Sequence, residues 1–201
     1  MFAQRSSLGC PVDVKFGSNG QHYFADTGAN KVWRLSVNGY AREVVRDTRY
    51  FGLHGLGGLA IRGSADGANG LIMDTRGNLC LSGSATKTLL VVKPNGMLTR
   101  RFGSKGFYPR GNSGFSRLPS GEIIAIDNQS IVKIDKTSIN RIVDFQHRKL
   151  ADGIRVFQPN GIAVSRNGTI YCDTYPSNGY SNVSALIALG QPDTITILWD
   201  S

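Results

Sequence analysis

Short apolar runs separated by glycine-containing turns recur four times along the chain. Each repeat consists of an apolar strand, a tight turn and a second apolar strand, and the repeats start at Pro11, Asn69, Ser113 and Asn160. The turn glycines are spaced 57, 44 and 47 residues apart, at Gly20, Gly77, Gly121 and Gly168. Glycine suits these positions because hairpin turns need positive φ angles that other residues rarely adopt. A blade-sized period of this kind predicts a β-propeller rather than a short-period solenoid.

A second pair of apolar strands follows each hairpin. The pairs are 31–37 with 41–45, 89–93 with 97–102, 131–134 with 140–145, and 185–189 with 194–199. The first pair is joined by Asn38-Gly39, a strong hairpin signal between apolar runs. Four strands in each of four repeats predict an all-β fold, a single β-propeller domain with four recognisable four-stranded blades. The blades span about 11–47, 68–103, 113–146 and 157–201.

A long segment, 48–67, joins the first two blades. Its stretch from Gly55 to Ala60 fits a dinucleotide-binding fingerprint, but it lacks the preceding strand and following helix that such a site needs. Loops of this length are often functional. Tyr50, Phe51 and Leu53 make the segment apolar, and we interpret it either as a lid over the propeller channel, with His54 as a substrate contact, or as a disordered linker.

Composition narrows the class of protein. The 201 residues include 25 glycines, which suits a turn-rich globular protein better than a helical bundle. No apolar stretch approaches the roughly 18 residues of a transmembrane helix, so no membrane span is predicted. The first residues lack the apolar centre of a signal peptide, which predicts a cytoplasmic protein, with a mature or truncated secreted chain as the alternative.

The net charge and the cysteines say less about function than the repeat does. The net charge of +9 favours acidic partners, but the basic residues are scattered, so nucleic-acid binding is a weak interpretation. The cysteines Cys10, Cys80 and Cys172 are odd in number and lack metal-ligand spacing. We interpret them as free thiols, with Cys80 and Cys172 inside apolar strands.

Several stretches resemble known propeller repeats. PNGIAVSRNGTIYCDT and GANGLIMDTRGNLCLSG are similar to strand pairs of the NHL-repeat and regucalcin/gluconolactonase propellers, and YFADTGANKVWRLSVNG resembles the same families' strand pattern. The resemblance covers 11–47 and 68–201. Related propellers usually have five to seven blades. The resemblance therefore leaves two possibilities open, a complete four-bladed ring or part of a five- to seven-bladed ring.

The repeat alignment predicts where a site lies. Val12, Asn69, Ser113 and Asn160 align at the start of the inner strands, and Asp26, Asp127 and Asp173 align at the end of the second strands, with Ser82 in that place in the second blade. These residues are expected to ring one mouth of the channel. Carboxylate and amide oxygens that converge there would suit a hard divalent cation such as calcium.

The lactone-hydrolase resemblance implies a divalent metal, calcium or zinc, that polarises a lactone carbonyl and activates water. It implies that Asn160 is a metal ligand, because Asn160 matches the family's Pro-Asn-Gly segment. Asn69, Asp13 and Asp173 are the other candidate ligands, with Asp173 or Asp127 as general base and Ser113 as a substrate contact. Ser113 stands where the family has an amide ligand, and no Glu stands near Pro11 where the family has an acidic one.

Two functions follow from these features. The first is a metal-dependent hydrolase of lactones or small esters. The second is a non-catalytic NHL-type binding propeller that recognises a protein, a sugar or a nucleic acid. Each acidic residue also has a structural interpretation, since Asp-Thr at a strand end often accepts hydrogen bonds from loop N–H groups.

Overall fold

The structure is a computed structural model that describes residues 8–17, 20–46, 53–64, 67–83, 87–102, 114–135, 138–145, 158–175, 185–189 and 195–200. The chain folds as two compact units, Met1–Asn112 and Ser113–Ser201. Each unit contains two four-stranded antiparallel sheets, in which strands that are consecutive in sequence are neighbours in space. The predicted all-β fold with four four-stranded blades is therefore confirmed.

The first unit contains blades 1 and 2. Blade 1 consists of strands β1 to β4, at Pro11–Phe16, His22–Asp26, Lys31–Leu35 and Ala41–Val45. Blade 2 consists of β5 to β8, at Ala68–Met73, Leu79–Gly83, Thr88–Val92 and Leu98–Phe102. A short 3₁₀ helix, Ala60–Arg62, lies between the blades in sequence. Within the residues that the structure describes, no helix has the length and apolar character needed to cross a membrane.

The second unit contains blades 3 and 4. Blade 3 consists of β9 to β12, at Phe115–Arg117, Ile123–Asp127, Ser130–Ile134 and Ile139–Asp144. Blade 4 consists of β13 to β16, at Gln158–Val164, Ile170–Tyr175, Ala185–Leu189 and Ile195–Asp200. In both blades the strand order is sequential, as expected when short hairpins connect antiparallel neighbours.

The glycines predicted to make the first turn of each blade do so. Their φ angles are 74°, 76°, 94° and 90°, at Gly20, Gly77, Gly121 and Gly168. Each glycine N–H donates a hydrogen bond to the carbonyl oxygen three residues earlier, as Gly77 does to Asp74 over 3.1 Å. These turns fix the register of the hairpins, and the register decides which side chains face the neighbouring blade.

Each unit has an apolar core between its two blades. In the first unit Ala25, Val32 and Val45 of blade 1 pack with Leu71 and Leu81 of blade 2, together with further aliphatic side chains of β5 to β8. In the second unit the core is formed by Ile124, Ile131, Val143 and Phe145 of blade 3 with Ile170, Cys172 and Leu189 of blade 4. Blades thus pack face to face, which is how propellers bury their sheets.

The described part of the long segment lies along the outermost strand of blade 2. Gly57 N donates to Leu98 O, and Leu98 N donates to Gly58 O, both over 2.8 Å. Leu59 forms a bridge with Met97. The segment around residues 57–60 therefore extends blade 2 beyond β8 and is separated from the inner strand β5 by the strands β6, β7 and β8.

Candidate functional site

The buried Asp26 holds the segment that leads into β1. Its carboxylate accepts hydrogen bonds from Gly9 N, over 3.0 Å to Oδ2, and from Cys10 N, over 2.7 Å to Oδ1. Ala29 N donates a further bond to Oδ1 over 3.3 Å. Asp26 has no exposed surface. The buried carboxylate thus fixes the backbone of the segment that leads into β1.

Ser82 and Asp173 perform a related task in blades 2 and 4. Gly70 N donates to Ser82 Oγ over 3.0 Å, and Gly161 N donates to Asp173 Oδ1. Gly70 and Gly161 both lie where the inner strand shifts register against the second strand. Such a bulge leaves an N–H group outside the ladder, and a side-chain oxygen from the second strand accepts its hydrogen bond.

The register separates residues that the sequence alignment placed together. Phe24 in blade 1 and Cys172 in blade 4 occupy equivalent positions. Asp26 lies two residues after Phe24 and pairs with Pro11, whereas Asp173 lies only one residue after Cys172 and pairs with Gly161. Ser82 follows the pattern of Asp173, and Asp127 follows that of Asp26. The predicted equivalence of all four is therefore wrong. A difference of one residue in the distance from the turn glycine directs the side chain to the opposite face of a strand.

Asp13 links the two blades of the first unit. Its Oδ2 accepts a hydrogen bond from Leu71 N over 2.7 Å, and its Oδ1 lies 3.1 Å from Lys15 Nζ. Burial raises the pKa of the Asp13 carboxyl above its ordinary value, although the Leu71 N–H and the Lys15 charge act in the opposite direction. Both oxygens of this predicted metal ligand are thus engaged with groups of the protein.

Asn69 also lies at the junction of blades 1 and 2. Thr27 Oγ1 lies 3.1 Å from Asn69 Oδ1 and 3.1 Å from the carbonyl oxygen of Ala68. Thr27 thus bridges the end of β2 and the start of β5. The contact with Asn69 was not foreseen from the sequence, because it depends on how the two blades pack.

Asn160 and Asp173 are the predicted site residues that the structure brings into contact. Asn160 Nδ2 lies 3.4 Å from Asp173 Oδ2, and both residues are half-buried at the end of blade 4 where β13 begins. Asp127 ends β10 and is buried.

The remaining predicted site residues lie elsewhere. His54 lies in the segment that precedes the 3₁₀ helix, and Ser113 lies outside the described residues. Their proposed roles remain predictions.

These donors can be compared with what a divalent metal needs. In the described part of the chain, no three His, Cys, Asp or Glu side chains form a group that could hold a metal ion. Asn160 and Asp173 supply two side chains, whereas calcium takes six to eight oxygen ligands and zinc takes four ligands. The described donors therefore do not by themselves form such a site, and we derive no catalytic step through a metal.

A row of basic side chains crosses blade 1. Lys15, Tyr23, Arg34 and Arg42 are successive cross-strand partners on β1 to β4. Lys15 pairs with Asp13, but Arg34 and Arg42 form no ion pair within the described residues. Arg34 is half-buried and Arg42 is exposed. Their adjacency depends on the register of β3 and β4, and the sequence analysis missed it.

Comparison with known proteins identifies the fold. No protein-family model matches this sequence, and no curated protein sequence matches it significantly. A catalytically inactive virginiamycin B lyase from Staphylococcus aureus, solved with quinupristin, superposes with a TM-score of 0.64 at 14% identity, over 98% of this chain and 57% of that one. A structure of the nidogen/laminin complex gives a TM-score of 0.68 at 16% identity, over 94% of this chain and 64% of that one.

A gluconolactonase from Xanthomonas campestris gives a TM-score of 0.53 at 13% identity, over 67% of this chain and 47% of that one. The chain spans 57% of the length of the virginiamycin B lyase and 55% of the length of a streptogramin B lyase. At these identities the likeness shows the fold and no more. The chain is a β-propeller, with the fold of the gluconolactonase, lyase and nidogen-type propellers, as its sequence predicted.

Proposed function

We propose that this protein is a non-catalytic binding propeller that recognises an acidic protein partner through Arg34 and Arg42 of blade 1. The observation that carries the proposal is the pairing of these two arginines across β3 and β4, with no carboxylate paired to either within the described residues. The net charge of +9 would add long-range attraction for such a partner.

Two other cationic side chains on strands are paired with carboxylates. Lys31 Nζ lies 2.7 Å from Glu43 Oε1, and Lys133 Nζ lies 2.8 Å from Glu122 Oε1. Like charges opposite each other on a sheet are destabilising, so the Arg34–Arg42 pair is unfavourable in the isolated chain. A carboxylate from a partner would relieve this repulsion, and guanidinium groups bind carboxylates in a bidentate geometry.

The acidic side chains near the strand ends support binding over catalysis. Asp26 accepts backbone hydrogen bonds from Gly9 and Cys10, Asp173 accepts one from Gly161, and Asp13 accepts one from Leu71. A general base must be free to accept a proton from substrate or water. These carboxylates instead hold the segments that lead into the inner strands, which is a structural task.

The test uses a fluorescein-labelled oligoglutamate peptide, with fluorescence anisotropy as the readout. We expect the chain to bind this probe and the double variant Arg34→Gln/Arg42→Gln to bind it at least about tenfold more weakly, since charged contacts at an interface contribute on this scale. Arg76→Gln is the matched control, because Arg76 is exposed in the turn between β5 and β6 and should leave affinity unchanged.

Three results would contradict the proposal. The peptide could fail to bind, the double variant could bind it as tightly as the wild type, or the Arg76 variant could lose as much affinity as the double variant. A single-stranded DNA of equal charge provides a further arm. Tighter binding of the DNA, with a steeper salt dependence, would assign the surface to nucleic acid instead of protein.

The second candidate function is metal-dependent hydrolysis of a lactone or small ester. It is favoured by the contact between the Asn160 amide and the Asp173 carboxylate, since both residues are candidate ligands under the lactone-hydrolase resemblance. In this proposal Asn160, Asp173, Asn69 and Asp13 contribute metal ligands, and Asp173 or Asp127 serves as base. The fold shared with gluconolactonases is compatible with this function but does not distinguish it from binding.

Thermal unfolding separates the two candidates. EDTA-treated protein is melted with calcium, zinc, manganese or magnesium added back, because an ion that binds only the folded state raises the melting temperature. A rise that Asn160→Ala abolishes and the exposed control Asn140→Ala retains would support the metal site and justify screening lactones. No rise with any of these ions would leave the binding propeller as the function.

A further inference from the structure

Blade 1 has an apolar face that lies away from the core shared with blade 2. This face, here called the open face, contains Val14, Phe16, His22, Phe24, Leu35 and Ala41 on β1 to β4. The row of Val14 and Phe24 continues on the same face through Trp33 to Glu43, whose carboxylate is paired with Lys31. Most of the open-face residues line a cleft of about 390 Å³. On β1, the first strand of this sheet, Val14 is 52% exposed and Phe16 is 72% exposed.

The repeat shows what this face is for. The residues 57 positions later in sequence are the counterparts of the open face in blade 2, and they pair across their strands in the same pattern. They are Leu71, Met73, Leu79, Leu81, Val92 and Leu98. All six contribute to the core between blades 1 and 2, and Leu71 has no exposed surface. The open face of blade 1 is therefore equivalent to the face of blade 2 that packs against blade 1.

Blade 4 repeats the relationship in the second unit. Ile162, Val164, Ile170 and Cys172 occupy the counterpart positions on β13 and β14. They pack in the core with Ile124 and Ile131 of blade 3. In both units the face of this type is thus covered by the opposite face of another four-stranded blade, which identifies a blade as the occupant that fits the open face.

Two buried nitrogen atoms on blade 1 lack hydrogen-bond partners within the described residues, as expected if an interface there is incomplete. These atoms are His22 Nδ1 and Trp33 Nε1. Trp33 is the cross-strand partner of Phe24, and His22 is itself part of the open face. Buried polar groups in folded proteins are nearly always paired, so these two atoms point to a partner group that the described residues do not supply.

Blade 4 carries an uncharged row where the covering face of blade 1 carries a basic one. On blade 1 the row on the opposite face is Lys15, Tyr23 and Arg34, and on blade 4 the counterpart cross-strand row is Ala163, Tyr171 and Ala188. Ala163 is exposed, and Tyr171 and Ala188 are half-buried. This row is uncharged, and the carboxylate next to it on the same face, Asp173, is already paired with the Gly161 N–H.

We propose that the open face of blade 1 binds the β13–β16 sheet of a second copy of this chain, through the row of Ala163, Tyr171 and Ala188. The contact is heterologous, because one copy contributes blade 1 and the other contributes blade 4. The tyrosine of this row supplies a hydroxyl, a group that can pair with a buried nitrogen at such an interface.

Sedimentation velocity of the full chain tests the proposal. We expect concentration-dependent association from about 1 to 100 μM, the range in which an interface of micromolar affinity populates both states. Salt of about 150 mM screens the repulsion between two positively charged copies. Phe16→Glu and Ala163→Glu should each abolish association. Val37→Glu is the matched control, because Val37 is 79% exposed but lies outside the open face.

Mixing the two variants distinguishes the proposed contact from other forms of self-association. A copy with Phe16→Glu keeps its Ala163 row, and a copy with Ala163→Glu keeps its open face, so an equal mixture should associate although neither variant does alone. Packing of two open faces against each other predicts no such recovery. Circular dichroism melts of both variants establish that they remain folded.

The proposal is overturned if the wild type is monomeric throughout this range. It is also overturned if Ala163→Glu leaves association intact, or if the Val37 control removes it. A monomer whose open face binds the apolar dye ANS, with binding lost in Phe16→Glu, would assign the cleft to a small apolar ligand instead of a second copy.

Discussion

The carboxylate of Asp13 in β1 accepts a hydrogen bond from the backbone N–H of Leu71 in β5, with 2.7 Å between Oδ2 and N. This bond joins blade 1 to blade 2 at residues that are 58 positions apart in sequence. Asp13 is 8% exposed, so the bond forms where little water competes for either partner. The ends of the inner strands are thus held by side chains as well as by the apolar core.

Loss of the Asp13 carboxylate should destabilise the first unit. Asp13→Ala removes the acceptor and leaves the Leu71 N–H buried without a partner, which costs about 1–3 kcal/mol. Asp13→Asn keeps an acceptor oxygen of the same length and should cost less. Urea unfolding followed by circular dichroism measures both. Equal stability of the Ala variant and the wild type would contradict this role of Asp13.

The same residue gives a pH dependence. Burial raises the pKa of the Asp13 carboxyl above its ordinary value of 3.8, so in the folded state it holds its proton to higher pH than in the unfolded state. The wild type therefore loses stability as pH rises from the unfolded to the folded pKa, whereas Asn does not titrate. The melting temperature of Asp13→Asn minus that of the wild type should rise as the pH increases from the ordinary pKa of 3.8 through the higher pKa of the folded state. A constant or falling difference would contradict the shift.

Asp26 should be the costlier carboxylate to remove. It is fully buried and accepts bonds from Gly9, Cys10 and Ala29, so Asp26→Ala leaves several backbone donors unpaired. We expect a loss of about 2–4 kcal/mol, with a smaller loss for Asp26→Asn, which retains one acceptor oxygen. Chemical denaturation gives both values. An Ala variant that unfolds at the wild-type midpoint would show that these bonds contribute nothing.

Gly161 is needed because the Asp173 carboxylate occupies the space that a side chain would take. A Cβ at residue 161 would lie 2.5 Å from Asp173 Oδ1. Gly161→Ala should therefore displace Asp173 from its bond with the residue 161 N–H and destabilise the protein by about 1–3 kcal/mol. Gly58→Ala is the control, because a Cβ there meets its nearest atom at 3.4 Å. Equal melting temperatures for the two variants would contradict the steric argument.

Much of the fold could be predicted because its signals are local. Gly20 and Gly168 mark turns through their own backbone preference, and the alternation in each short run shows where strands lie. Asp26 and Asp173 were harder to place. Both precede a threonine, but they lie six and five residues after their turn glycines, and the shared dipeptide hid this difference. Counting from the glycine would have placed them on opposite faces.

Contacts between blades were beyond sequence reasoning. The Asp13–Leu71 bond and the Thr27–Asn69 contact depend on how two sheets pack, and no local pattern encodes that packing. The pairing of Arg34 with Arg42 follows the register that the turn between β3 and β4 sets, and the register shift of this hairpin lies beyond the pair, between Val32 and Trp33. The candidate site was predicted from polar residue types at strand ends, and the same residue types also serve to hold bulges and loops.

The three cysteines should differ sharply in reactivity. Cys10 is exposed, whereas Cys80 and Cys172 are buried in strands β6 and β14. Burial raises the pKa of the Cys80 thiol to about 12 and raises that of Cys172 as well, and the thiolate is the reactive form. In native protein, Ellman's reagent should therefore label one thiol rapidly, and in denaturant it should label all three.

The matched variant for this measurement is Cys10→Ser, which should remove the rapid phase and leave the two slow thiols unchanged. Because their labelling requires the buried strands to open, the slow phases also report the stability of each unit separately, Cys80 for the first and Cys172 for the second. Asp13→Ala should accelerate labelling of Cys80 more than that of Cys172, since Asp13 bonds within the first unit. Equal acceleration of both thiols would show instead that the two units unfold together.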